Sequence, residues 1–123
     1  MNNDSFYQSK AWERLRLRIL RRDGYMCQES KRYGRAVPAN TVHHIFPRDE
    51  YPEYELEPWN LISLSTKAHD EMHDRNTGKL TEKGRRLLDR TAREQGIPPS
   101  PKVPDDPLGE REAGAFIYSG DFK

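Results

Sequence analysis

The sequence predicts an α+β chain: a small core of two short strands and a helix, a basic helix before it, another helix after it, and an extended C-terminal tail. Three observations carry this. Apolar residues recur at helical spacing between Ser9 and Arg22, two short apolar runs at 41–45 and 59–64 are too brief for helices, and prolines crowd the stretch after Gly96. The 123 residues divide accordingly into a folded part over 1–96, with its ββα core at about 36–76, and a Pro-rich segment over 97–123.

In the first helix, Ser9 is the expected N-cap, Trp12, Leu15 and Ile19 form the inward stripe, and Asp23-Gly24 supplies the stop. Arg14, Arg18, Arg21 and Arg22 then project outward as a cationic surface. The stretch from Tyr25 to Arg35 has turn residues and no period, so it reads as a loop or knuckle. Val42 and Ile45, bracketed by Pro38 and Pro47, suggest a strand over Thr41 to Ile45, and an acidic loop follows through Glu57. Trp59 to Leu64 makes the second strand. Thr66 is the expected cap of a helix over about Lys67 to Arg75, ended by Asn76-Thr77-Gly78. Thr81 opens a last helix to Gln95, whose Leu80, Leu87 and Leu88 offer only a narrow apolar face. Five prolines in the eleven residues from Ile97 to Pro107 exclude both regular elements, although Phe116, Ile117 and Tyr118 offer a place for a protein partner to dock.

Composition sets limits on function. With 33% hydrophobic and 33% charged residues, the core must be thin, which favours help from a bound metal. The single Cys27 excludes an intramolecular disulfide, and the N-terminus has no signal-peptide pattern, so an intracellular, cytoplasmic setting is expected. No apolar stretch approaches the roughly 18 to 20 residues that span a bilayer, so no membrane role is expected. The net charge of +1 conceals a strong division. Residues 1–35 carry nine Lys/Arg against four Asp/Glu and residues 75–93 seven against two, while 48–60 hold one Arg and five acids. Two basic blocks around a central segment suit a binder of phosphate backbones.

All four histidines, His43, His44, His69 and His73, fall between those blocks within 31 residues. On the expected third helix His69 and His73 stand at i and i+4, one turn apart on one face, and can reach a common ion. His43 and His44 are strand neighbours pointing to opposite faces, so one of them can complete three protein ligands while the other stays free as a base.

The order Val42-His43-His44-Ile45, then Asn60 sixteen residues after His44, His69 nine later and His73 four after that, resembles the HNH or ββα-metal nuclease family. That family includes the nuclease colicins and small phage and bacterial HNH proteins, whose leading helix FYQSKAWERLRLRILRRDGYMC is similar to. The resemblance covers about residues 6–75. It implies a catalytic pair of His44 as general base and Asn60 as the residue that pins the inter-strand loop. It also implies His43, His69 and His73 as ligands of one divalent ion, and products with 5′-phosphate and 3′-hydroxyl ends.

Many family members carry Asp where this chain has His43; a nitrogen-rich set shifts preference toward Zn²⁺, Ni²⁺ or Mn²⁺ and away from Mg²⁺. Many also brace the fold with a zinc knuckle of two Cys-x-x-Cys pairs, and here those positions read Cys27, Ser30, Ser65 and Ala68. No structural zinc is therefore expected, with the N-terminal helix, Trp12 and Trp59 packing in its stead. The implied partner is DNA, double-stranded and read with little sequence choice, held by Arg14, Arg16, Arg18, Arg21, Arg22 and Lys67. Phage relatives imply a setting near packaging machinery, a candidate partner for the tail.

Two other readings compete. His69-Asp70-Glu71-Met72-His73 approaches the zinc-peptidase His-Glu-x-x-His signature, but Asp70 stands where the glutamate is needed. A metal-containing DNA-binding or assembly module without turnover would show the same histidines.

Overall fold

The computed structural model describes residues 4–98, so the expected extended tail lies almost wholly outside the described residues. Two strands, β1 (Thr41–His44) and β2 (Leu61–Leu64), pair antiparallel with Val42 opposite Ser63 and His43 opposite Ile62. Helices surround this ribbon: α1 (Asp4–Tyr7), α2 (Lys10–Arg22), α3 (Gln28–Arg32), α4 (Thr66–Asp70) and α5 (Glu82–Gln95). The arrangement is the expected α+β.

Strand alternation sends alternate side chains to two separate apolar clusters. On one face Val42 and Leu61 pack with Trp12, Leu15, Ile19 and Leu20 of α2. On the other, Leu64 joins Ala68, Met72, Leu87, Leu88, Phe46 and Cys27. The narrow apolar face of α5 is thus docked, through Leu87 and Leu88. Helix α2 follows its stripe, and the Ser9 hydroxyl accepts from the Trp12 amide as the N-cap. At its far end Arg22 pairs with Asp23 at 2.8 Å and donates to the carbonyls of Pro58 and Leu61, while Asp23 accepts from the Ser63 amide. These bonds bolt α2 to β2.

Several elements depart from expectation. The short helix α1 has no period to betray it. The stretch read as a loop over 25–35 contains α3, whose buried residues are Glu29 and Ser30, so no apolar stripe marked it. Strand β1 ends at His44, and β2 begins at Leu61 because Pro58–Asn60 forms a 3₁₀ turn. The largest difference is α4. Its cap is Ser65 rather than Thr66, and it stops at Asp70 rather than near Arg75. Met72 is 0% exposed, turned into the core, and the chain leaves the helix to place it there. By contrast, α5 matches its expected span, with Thr81 accepting from the Gly84 amide and Gly96 closing it in the left-handed region (φ 71°).

Candidate metal centre

His43 and His44 sit side by side on β1 and therefore face opposite ways. His43 points to the α4 side, where its ring centroid lies 5.2 Å from both His69 and His73, and those two lie 5.5 Å apart. One ring nitrogen from each of the three falls within 4.8 Å of the others. His43 is 1% exposed, and neither of its ring nitrogens has a hydrogen-bond partner. A buried polar group left unmatched costs free energy unless something answers it, so the orphaned His43 nitrogen that lies near those of His69 and His73 fits a bound cation. Burial drives the His43 pKa well below its usual range, and the neighbouring His69 and His73 push the same way. Burial also lowers His69 and His73, against opposing pulls from Asp70 and Asp49 respectively. Three neutral imidazoles are what a first-row divalent ion needs as ligands.

His44 lies on the other face. Its Nε2 is 3.0 Å from the carbonyl of Glu55, which can only accept, so Nε2 carries the proton and Nδ1 keeps its lone pair. The ring stacks on Trp12, with centroids 5.1 Å apart and planes 21° from parallel, and Phe6 and Tyr7 stand at 6.0 and 6.3 Å. Burial lowers its pKa, and the Arg48 charge adds to that while the Glu55 contact opposes it. The loop that supplies Glu55 is pinned by Asn60, 0% exposed: its Oδ1 accepts from the Phe46 amide at 2.7 Å, and its Nδ2 donates to the carbonyls of Phe46 and Tyr54. All four histidines line one cleft of about 460 Å³, along with Tyr7, Trp12, Arg16, Arg48 and Asp49.

The chain is similar to the crystal structure of the HNH endonuclease of the deep-sea thermophilic bacteriophage GVE2 with manganese ion, at 36% identity and a TM-score of 0.54, over 55% of this chain and 73% of that one. The chain belongs to the HNH endonuclease family. Neither any protein-family model nor any curated protein sequence matches it.

Within the HNH framework the sequence had named the four histidines and Asn60, and the fold brings all five into one neighbourhood. The route to His73 differs from expectation, because that residue lies beyond α4 in an isolated bridge with Leu80 rather than one turn along a helix. Of the six expected cations, Arg16 lines the cleft. Arg14, Arg18 and Arg21 are exposed on α2 outside it, Lys67 borders a different groove beside Glu29 and Lys83, and Arg22 has its donors engaged with Asp23 and backbone carbonyls.

Sequence reasoning missed Tyr7, Arg48 and Asp49, which come from α1 and the inter-strand loop. Arg48 pairs with Glu55 at 2.8 Å and lies 4.0 Å over the Phe6 ring. Position alone carried no signal for it.

The knuckle positions do come together, and of the two expected tryptophans Trp59 packs against the cluster that holds Cys27 and Ala68 while Trp12 belongs to the other one. Ser30 donates to the Cys27 sulfur at 3.3 Å, Ser65 reaches the same residue, and buried Ala68 shares its cluster. Trp12 stands on the opposite face beneath His44, and Trp59 packs on Tyr54 and Phe46. Among the described residues no helix is long and apolar enough to cross a membrane.

Proposed function

We propose that this HNH protein is a metal-dependent endonuclease that hydrolyses phosphodiester bonds of DNA, leaving 5′-phosphate and 3′-hydroxyl ends. The observation that carries the reading is a division across β1: three imidazoles gather on one face, and a fourth, neutral and held by a backbone carbonyl, stands on the other side of the same cleft. His43, His69 and His73 would hold a divalent ion, of which Mn²⁺, Ni²⁺ and Zn²⁺ suit nitrogen ligands better than Mg²⁺. When bound, the ion supplies a Lewis acid for the charge that grows on the scissile phosphate and the leaving 3′ oxygen.

The chain's own residues do the remainder. His44 accepts a proton from the attacking water at Nδ1, its depressed pKa keeping that nitrogen free at neutral pH. The Glu55 carbonyl fixes the tautomer, the Trp12 ring fixes the plane, and Asn60 holds the loop that carries Glu55. Arg16 and Arg48 line the cleft, and Arg14, Arg18 and Arg21, exposed on α2 outside it, would meet neighbouring phosphates of a duplex without reading bases.

Supercoiled plasmid incubated with the protein and Mn²⁺, Ni²⁺, Zn²⁺ or Mg²⁺, with an EDTA control, tests this. Nicked or linear product is expected in the metal lanes alone. Plasmid retarded but intact in every lane would replace the nuclease with a binding module.

A further inference from the structure

Helix α4 delivers His69 but not His73. Had it continued, the carbonyls of Glu71 and Met72 would have accepted from amides one turn further along the same helix. Instead both are taken by one residue, ten positions beyond Glu71 and nine beyond Met72. The Thr81 hydroxyl donates to the Glu71 carbonyl at 2.6 Å, and the Thr81 amide donates to the Met72 carbonyl at 2.9 Å. The same hydroxyl oxygen accepts from the Gly84 amide as the N-cap of α5, so a single side chain both stops one helix and starts another.

Three further features hold the two segments together. Lys83 pairs with Glu71 at 2.6 Å, and His73 bridges to Leu80. At Gly84 a Cβ would stand 2.5 Å from the Met72 carbonyl oxygen, closer than side chains tolerate, so the first turn of α5 rests directly on the backbone preceding His73. Between these contacts the chain reverses through a turn in which the Asp74 carboxylate accepts from the Asn76 and Thr77 amides.

We infer that Thr81, with Gly84 beside it, is a positioning residue for His73: the start of α5 locks the segment 71–73 in the non-helical path that brings the third imidazole to His43 and His69. The inference rests on the three-histidine cluster being the metal site proposed above. It makes α5, which lies outside the family-like stretch, part of that site's support. A mere capping role would confine the effect of Thr81 to the helix it begins.

Calorimetric titration of the full chain with Mn²⁺, without DNA, separates the two, using Thr81→Val, Thr81→Ser and Gly84→Ala with His69→Ala as the reference for a broken site. Circular dichroism selects temperatures at which each variant is folded. Thr81→Val and Gly84→Ala are expected to weaken Mn²⁺ binding about 10- to 100-fold, the range for residues that hold ligands in place, with Thr81→Ser within about threefold of wild type. Thr81→Val and Gly84→Ala binding as tightly as wild type, while His69→Ala does not bind, would overturn the role of α5 alone. So would a loss in Thr81→Ser equal to that in Thr81→Val. A wild-type chain that binds none of Mn²⁺, Ni²⁺ and Zn²⁺ would overturn the metal reading and this inference with it.

Discussion

Replacing His43 by leucine separates the metal reading from a purely structural one through the sign of its effect. In the absence of metal the imidazole is a buried group with one donor and one acceptor, both unmatched. Each such group costs about 1–3 kcal/mol, so an apolar side chain of similar size should stabilise the metal-free fold by about 2 kcal/mol. In a domain of this size that corresponds to a rise in Tm of about 10 °C. The loaded protein behaves in the opposite way. At a hundredfold excess of metal over its Kd, wild type gains about 2.7 kcal/mol, and a variant with two ligands gains little of it. Thermal unfolding followed by circular dichroism in EDTA and in Mn²⁺ therefore gives two crossing orders: His43→Leu above wild type in EDTA, and unmoved by Mn²⁺ while wild type climbs. A variant that melts below wild type in EDTA, or whose Tm still rises with Mn²⁺, refutes the reasoning.

His44→Ala should lower plasmid nicking about 10²- to 10⁴-fold while calorimetry shows Mn²⁺ affinity unchanged; equal turnover would remove the assigned base. Asn60→Ala unmakes two buried hydrogen bonds and one part-buried and should lower unfolding stability in urea by about 3 kcal/mol, with a shift below about 1 kcal/mol contradicting its place as the pin of the loop. All four histidines have folded-state pKa values lowered from 6.5, so below that pH the unfolded chain binds more protons than the folded one. The histidines' contribution to the stability of the metal-free protein is therefore present above about pH 6.5 and lost as pH falls; urea midpoints that stay level from pH 7.5 to 5 would disagree. Gly84→Ala would gain about 1 kcal/mol in an ordinary exposed helix, but here the clash with the Met72 carbonyl should make it destabilising, a sign that one melting curve decides.

Local rules made much of the fold readable. The period of Trp12, Leu15 and Ile19 with the Ser9 cap marked α2, the alternation of β1 split His43 from His44, and Thr81 with Gly96 bounded α5. What escaped depends on partners distant in sequence. Nothing between Thr66 and Arg75 announces that α4 must end at Asp70; the cause is the burial of Met72 and the hydroxyl of Thr81. Arg22 looked like its exposed neighbours, yet its donors meet carbonyls 36 and 39 residues away. Arg48 sits in an acidic loop without period, and only the folded path of that loop sets it against Phe6 and Glu55. The cluster of four histidines was legible through spacing and Asn60 through the family resemblance, whereas of the charged lining of the cleft Arg16 was foreseen and Arg48 and Asp49 were not.

The two apolar clusters on either side of β1 give the cleft a divided foundation. Trp12 and its companions in α2 lie on the side of His44, the proposed base, and Met72 and Ala68 belong to the cluster on the side of the proposed metal ligands. Resizing a side chain under one half leaves the other on its original footing. Under the proposed function, the proton-handling side chain and the ion-holding side chains thus rest on separate packing across a ribbon four residues long.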